Sequence, residues 1–337
     1  MLLSSVAEHL YWLARYIERA ENTARIILVH NNLMLDMPRR IAIGWDPLVY
    51  IMGSMDIFTE RYGEASERNV VRFLVSDKAN ASCITCSLGQ ARENLRTIRA
   101  IVPRAAWETL NDLHEFCRDN ASSGINRRGR YAYMKRVVDS CQLLAGKLSA
   151  TMSHDMAYEF LRIGRFMERA DMTSRVIDVR ATNLLPRQKD ELKPFDDIQW
   201  KSVLDLVMGY QMYRRRVHVG VRGREALRFL LQEEEFPRSI QFCLAEVGHC
   251  LRRLPGSEAT LRVLGRAQRM AQEFSFAGDV TVGLNDFIND LQLVHTELHG
   301  QLAASYFEVP QEVVHPHEAG RPPQPVVSTA EPAAAVS

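Results

Sequence analysis

The residues best placed by type and spacing to do chemistry are arginines and glutamates. Arg15, Glu18, Arg19 and Arg25 recur as Arg165, Glu168, Arg169 and Arg175, every pair 150 residues apart, with Ala20 and Thr23 recurring as Ala170 and Thr173. A guanidinium is a planar fork that fits a carboxylate or a phosphate, and a nearby carboxylate can orient that fork or move a proton. At helical spacing Arg15, Glu18, Arg19, Asn22 and Arg25 fall within an arc of about 120°. Such a face can be solvated, with ion pairs worth a few tenths of a kcal/mol each. It can also be a buried network that ties two parts of the chain together. A third reading is a ligand site in which Glu18 and Glu168 orient the arginines, or act as acid and base on a carboxylate- or phosphate-bearing substrate. Solvated positions drift between Arg and Lys, yet all three matched basic positions keep Arg in both copies. That choice favours pairing geometry over surface charge.

The remaining constellations are weaker. Cys83-Ile-Thr-Cys86 has redox spacing, but its matched positions are Ser239 and Phe242 and no βαβ pattern precedes it, so small residues packing in a core are expected. Glu246-Val-Gly-His249 resembles half of a di-iron motif, but the counterparts Gln90 and Glu93 supply no second one, so no metal is expected. Arg127-Arg128-Gly-Arg130, with Tyr131 and Tyr133, reads as a solvated loop. Arginines on phosphate and tyrosines stacked on bases would be the nucleic-acid version. No phosphate loop, dinucleotide fingerprint, serine elbow or zinc-protease motif occurs. No cofactor is expected.

These residues have to be held by helices. Leu10, Leu13, Ile17, Ala20, Ala24 and Ile27 advance in steps of three and four, as do Phe160, Ile163, Met167, Ala170, Ser174 and Ile177. Leu88, Ala91, Leu95 and Ile98 follow Asn80-Ala-Ser82, a good region for a helix cap. Breaks are expected at Pro38, Asp46-Pro47, Ser122-Ser-Gly124, Pro186, Pro194, Pro237 and Pro255-Gly256. The match between copies continues through Met52-Gly53 with Met208-Gly209 and Arg72-Phe-Leu with Arg228-Phe-Leu. The expected fold is therefore all-α: a tandem duplication of two homologous helical-bundle repeats, residues 1–150 and 151–309, packed about a pseudo-twofold axis. Residues 310–337, rich in Pro and Ala, cannot bury enough apolar surface to offset chain entropy and are expected to be a disordered tail.

Composition narrows the functions. The 337 residues carry a net charge of +1, so neither nucleic acid nor an anionic membrane is an expected partner. No apolar run reaches membrane-spanning length and the N-terminus lacks a basic leader, so the cytoplasm is the expected location. Six cysteines in a chain this long read as free thiols.

The doubled Arg-x-x-Glu-Arg-Ala-x-x-Thr-x-Arg element resembles the α-E family, all-helical domains marked by a Glu-Arg motif. Arg72-Phe-Leu, Asp77, Asn80-Ala-Ser-Cys-Ile84, Ala91-Arg92-Glu93-Asn94 and Trp107-Glu108-x-Leu110-Asn111 carry the likeness further, over residues 1 to about 309. Ala81 departs from it, since the family commonly has Pro there. The resemblance implies that Glu18, Arg19, Glu168 and Arg169 are signature residues, with Asn80, Arg92, Glu93 and Asn94 next. It also implies a setting beside ATP-grasp ligases and transglutaminase-like proteins in a peptide- or amide-forming pathway. The protein would then be a non-catalytic or co-catalytic partner of the ligase, with no catalytic residue assigned. A stand-alone enzyme built on the Glu/Arg site, or a structural assembly protein, are the alternatives.

Overall fold

The computed structural model describes residues 2–36, 44–181, 196–218, 220–277 and 283–308. The tail 310–337 and the breaks at Pro38, Pro186 and Pro194 lie outside them. Every element among the described residues is a helix. In chain order they are α1 (Ser4–Asp36), α2 (Asp46–Ile51), α3 (Met55–Tyr62), α4 (Glu67–Ser76), α5 (Ile84–Thr97), α6 (Arg104–Asp119), α7 (Ala121–Ile125) and α8 (Arg127–Thr151). There follow α9 (Met156–Ala181), α10 (Asp196–Leu206), α11 (Tyr210–Arg216), α12 (Gly223–Gln232), α13 (Ile240–Leu251), α14 (Glu258–Glu273) and α15 (Leu284–Tyr306). None is long and apolar enough to cross a membrane.

The two longest apolar stripes build the centre. Leu10, Leu13, Ala20, Ala24 and Ile27 of α1 are buried, and so are Phe160, Ile163, Met167, Ala170 and Ile177 of α9. The opposite face of α1 is buried too, including Glu18, Glu21, Asn22 and Arg25. A helix enclosed on all sides sits in the middle of a bundle. α1 packs against α9, α5, α8 and α10, while α9 also takes α13 and α15.

α1 and α9 run side by side in the same sense. Tyr11 stands against Gly164, Glu18 against Arg169, and Ile26 and Val176 share one cavity wall. Gly164 sets how close they come, because a Cβ there would run into the Tyr11 carbonyl oxygen. Backbone cannot yield as a flexible side chain does, so Gly164→Ala is expected to cost about 1–3 kcal/mol, as overpacking does. Chemical denaturation checks this, and an unchanged midpoint would refute the close contact.

Local chemistry moved several expected boundaries. The cap of α5 is Cys83, one residue past the expected stretch. Its Sγ accepts the Cys86 amide at 3.3 Å, as the Ser239 hydroxyl of α13 accepts the Phe242 amide at 3.1 Å. Asn80 instead orders the preceding turn, donating to the Phe73 carbonyl and accepting from the Ser82 amide. The break expected at Asp46-Pro47 is the start of α2, where a proline in the first turn leaves no bond unmade. Ser122–Gly124 lies within the short helix α7. The Met52-Gly53 and Met208-Gly209 matches differ in backbone: the left-handed residue is Gly53 (φ +64°) in one and Met208 (φ +56°) in the other.

Candidate functional site

The repeated charged residues meet where α1 faces α9. Arg19 grips Glu168 with both prongs of its fork, Nε to Oε1 at 2.6 Å and Nη2 to Oε2 at 3.0 Å. Arg15 Nε reaches the same carboxylate at 2.7 Å. In the other direction Arg169 Nε donates to Glu18 at 2.9 Å. Each motif glutamate is thus held by an arginine of the opposite helix, and a Lys ammonium could not reproduce the two-pronged contact. The solvated reading is overturned, because Glu18 and Glu168 are 3% and 1% exposed.

The network is wider than the repeat. Arg238, in the loop before α13, bonds Glu18 at 2.6 Å, Glu21 at 2.9 Å and Asn22 at 3.2 Å. Glu21 also pairs with Arg25 and accepts from Gln142 of α8. Asp171 pairs with Arg175 at 3.0 Å. Arg15 donates to the Tyr11 hydroxyl at 3.0 Å, which lies 2.9 Å from His299 Nδ1 on α15. Arg165 departs from its counterpart Arg15, since no hydrogen bond or ion pair holds it among the described residues. The sequence reading missed Glu21, Asp171, Arg238, Tyr11, Gln142 and His299. Glu21 and Asp171 were findable, as both copies place an acid there. Arg238 was not, because its counterpart is Ser82.

The electrostatics follow from this packing. Burial by itself would raise the Glu168 carboxyl, but Arg15 and Arg19 outweigh it and hold the group at about 2. Burial acts the same way on Glu18, and Arg169, Arg238 and Arg25 hold it well below the usual carboxylate range. A general acid or base needs a pKa near neutrality, so these carboxylates are poorly set for that work. The cations are crowded. Burial, then the charge of Arg238, lowers Arg25 to about 10, and burial with the nearby Arg169 lowers Arg165.

A family described as a predicted alpha-helical domain with a conserved ER motif matches residues 2–307. The chain belongs to the Alpha-E family. Comparison with curated proteins and with solved structures finds no match.

The secondary candidates of this Alpha-E chain divide by role. Asn80 is a turn residue, and Asn94 pins α5 to α1 through His9 Nδ1 at 3.0 Å. Arg92 and Glu93 instead line an open cleft of about 900 Å³. Its walls come from α1 (Tyr16, Arg19), the α4–α5 turn and α5 (Lys78, Cys86, Gln90) and α6 (His114, Arg118). Arg19 lies 5.6 Å from the Tyr16 ring centroid, and Arg92 5.5 Å from that of Trp107, which aims both forks. Arg92 Nε also bonds Asn111 at 2.8 Å.

The CxxC and the basic cluster resolve differently from expectation. Cys83 is a buried cap, but Cys86 is half-buried on the cleft wall, so the CxxC is not simply core. The neighbouring Cys83 side chain, ahead of the opposing effect of burial, lowers the Cys86 thiol to about 7. Glu246 pairs with Arg162 and lies 3.2 Å from His249. Among the described residues, no three His, Cys, Asp or Glu side chains are grouped to hold a metal. The basic cluster expected to be a loop opens α8, where Arg127 and the buried Arg130 both grip Glu67. Tyr133 is buried with its hydroxyl on the Cys117 carbonyl, so it is no base-stacking platform.

Proposed function

We propose that this protein is a cytoplasmic helical accessory of an ATP-grasp amide or peptide ligase, with no turnover of its own, and that its two Glu-Arg pairs lock two homologous repeats together. The repeats are residues 1–150 and 151–309. The reciprocal bonding supports this reading of the motif: Arg19 takes Glu168 and Arg169 takes Glu18. A pair of signature carboxylates consumed in this way serves cohesion, which leaves the surface for partners. Side-by-side α1 and α9, and the shared α4–α5 and α12–α13 pattern with its matched caps, favour a duplication about a pseudo-twofold axis. Six free thiols suit a reducing compartment. The stand-alone enzyme that uses Glu18 and Glu168 as acid and base loses its support with both groups firmly ionised.

The partner reading, with a transglutaminase-like protein as second candidate, is tested by co-purification with an ATP-grasp ligase of the same organism. The same preparation is assayed for ligase turnover with and without this chain. Binding together with a changed rate is the expected result. No retention and an unchanged rate would overturn the proposal, as would ligation by this chain alone.

A further inference from the structure

We infer that the cleft between α1, α5 and α6 binds a ligand carrying an oxyanion, phosphate or carboxylate, with the Cys86 thiol at its wall. The cleft adjoins the Glu-Arg lock and shares Arg19 with it, and the inference stands whether or not a ligase is the partner.

Four observations carry it. The first is charge: Arg19, Lys78, Arg92 and Arg118 line the cleft, against the single carboxylate of Glu93. Arg19 is committed to Glu168, Arg92 shares Glu93 with Arg96, and Arg118 leans on Asp119. Lys78 is exposed and makes no hydrogen bond or ion pair among the described residues. The wall is therefore cationic after its internal pairs are formed. The second is an orphaned polar atom. Nδ1 of His114 is buried and has no hydrogen-bond partner among the described residues, an arrangement that proteins rarely leave unexplained.

The third is space. At Gly89, facing His114, an added Cβ would meet only the imidazole Nε2, at 3.8 Å. The fourth is asymmetry. On the matching surface beside α9, Phe166 and Phe242 meet edge to face with ring centroids 5.9 Å apart. Their counterparts are Tyr16 and Cys86, and the smaller Cys86 leaves its site open. At these two positions the first half has Tyr and Cys where the second has Phe and Phe. An open cationic pocket with a reachable thiol fits a small molecule or chain end with an anionic group, because such a wall raises the local anion concentration.

The thiol makes the test direct. Of the six cysteines, Cys86 alone is not buried. Iodoacetamide, which is neutral, and iodoacetate, which is anionic, are used to alkylate the folded full-length chain at low ionic strength. Iodoacetate is expected to react about tenfold faster, relative to iodoacetamide, than it does after Lys78→Glu and Arg118→Glu are introduced together. Both charged side chains are exposed, so the fold survives, and continued silence of the five buried thiols verifies that in the same experiment. Cys86→Ser is expected to abolish labelling. Inorganic phosphate, pyrophosphate and citrate are then added as competitors with iodoacetamide. Protection by the phosphates alone assigns a phosphate ligand, and protection by citrate alone a carboxylate. Protection by both assigns the shared oxyanion chemistry. A reagent ratio that ignores the charge reversals, or labelling that no competitor slows, overturns the inference.

Discussion

Replacing Glu168 with alanine lowers the stability of the folded chain by about 3–5 kcal/mol, because it leaves charges buried without a partner. Two arginines lose their carboxylate at once, and their side chains are only 10% and 18% exposed. Arg15 also holds the Tyr11 hydroxyl and, through it, His299 of α15, so the damage spreads beyond the pair. Glu168→Gln keeps the shape and loses the charge, and it is expected to recover little of the loss. The control is Glu108→Ala, which removes the exposed i,i+4 partner of Arg104 and should cost less than about 1 kcal/mol. Denaturant titration of the three variants measures the contrast. Equal losses at Glu168 and Glu108 would mean that burial adds nothing to the motif. A double-mutant cycle with Arg19→Met separates the pair from its surroundings, since residues in one network do not add. The cost of breaking the pair is not its net worth. A well-packed apolar replacement of the whole cluster could be as stable, so the network is better seen as fixing how α1 and α9 register.

Acid is expected to act on the same lock. Glu168 has its folded pKa lowered to about 2 from an ordinary value of 4.5. A carboxyl whose pKa falls on folding contributes stability that is complete above the unfolded value. That contribution drains away as pH drops toward the folded one. Between about pH 4.5 and pH 2, Glu168 should therefore give up about 3 kcal/mol, and Glu18, lowered further, adds to the loss. Denaturant midpoints at pH 7, 4.5 and 3 measure the slope. Glu168→Gln should flatten it, because the titrating group is gone. Identical pH slopes for the parent and this variant would show that the acid sensitivity arises elsewhere.

Helicity was legible because it rests on local periodicity: steps of three and four from Leu10 to Ile27 leave one apolar stripe whatever the surroundings. The role of the charged face was half legible. Arg retained over Lys at matched positions pointed to fork geometry, and the fork is there on Glu168. Comparison of the copies also had a cost, since Cys86 was discounted because Phe242 matches it. In the structure Cys86 lines an open cleft, whereas Phe242 packs edge to face against Phe166.

By itself the sequence determined the helices, the paired Arg and Glu positions on α1 and α9, and membership of a family marked by that motif. Only the tertiary structure decided that α1 is enclosed on both faces and that Arg238 completes the network from a distant loop. It alone decided that Arg165 has no hydrogen bond or ion pair among the described residues and that Lys78, Cys86 and His114 face one cleft. The reason is range. Helix period and charge spacing are set by neighbours three or four residues away. Burial, pKa and the meeting of side chains 220 residues apart are set by how helices pack, which one strand of sequence does not state.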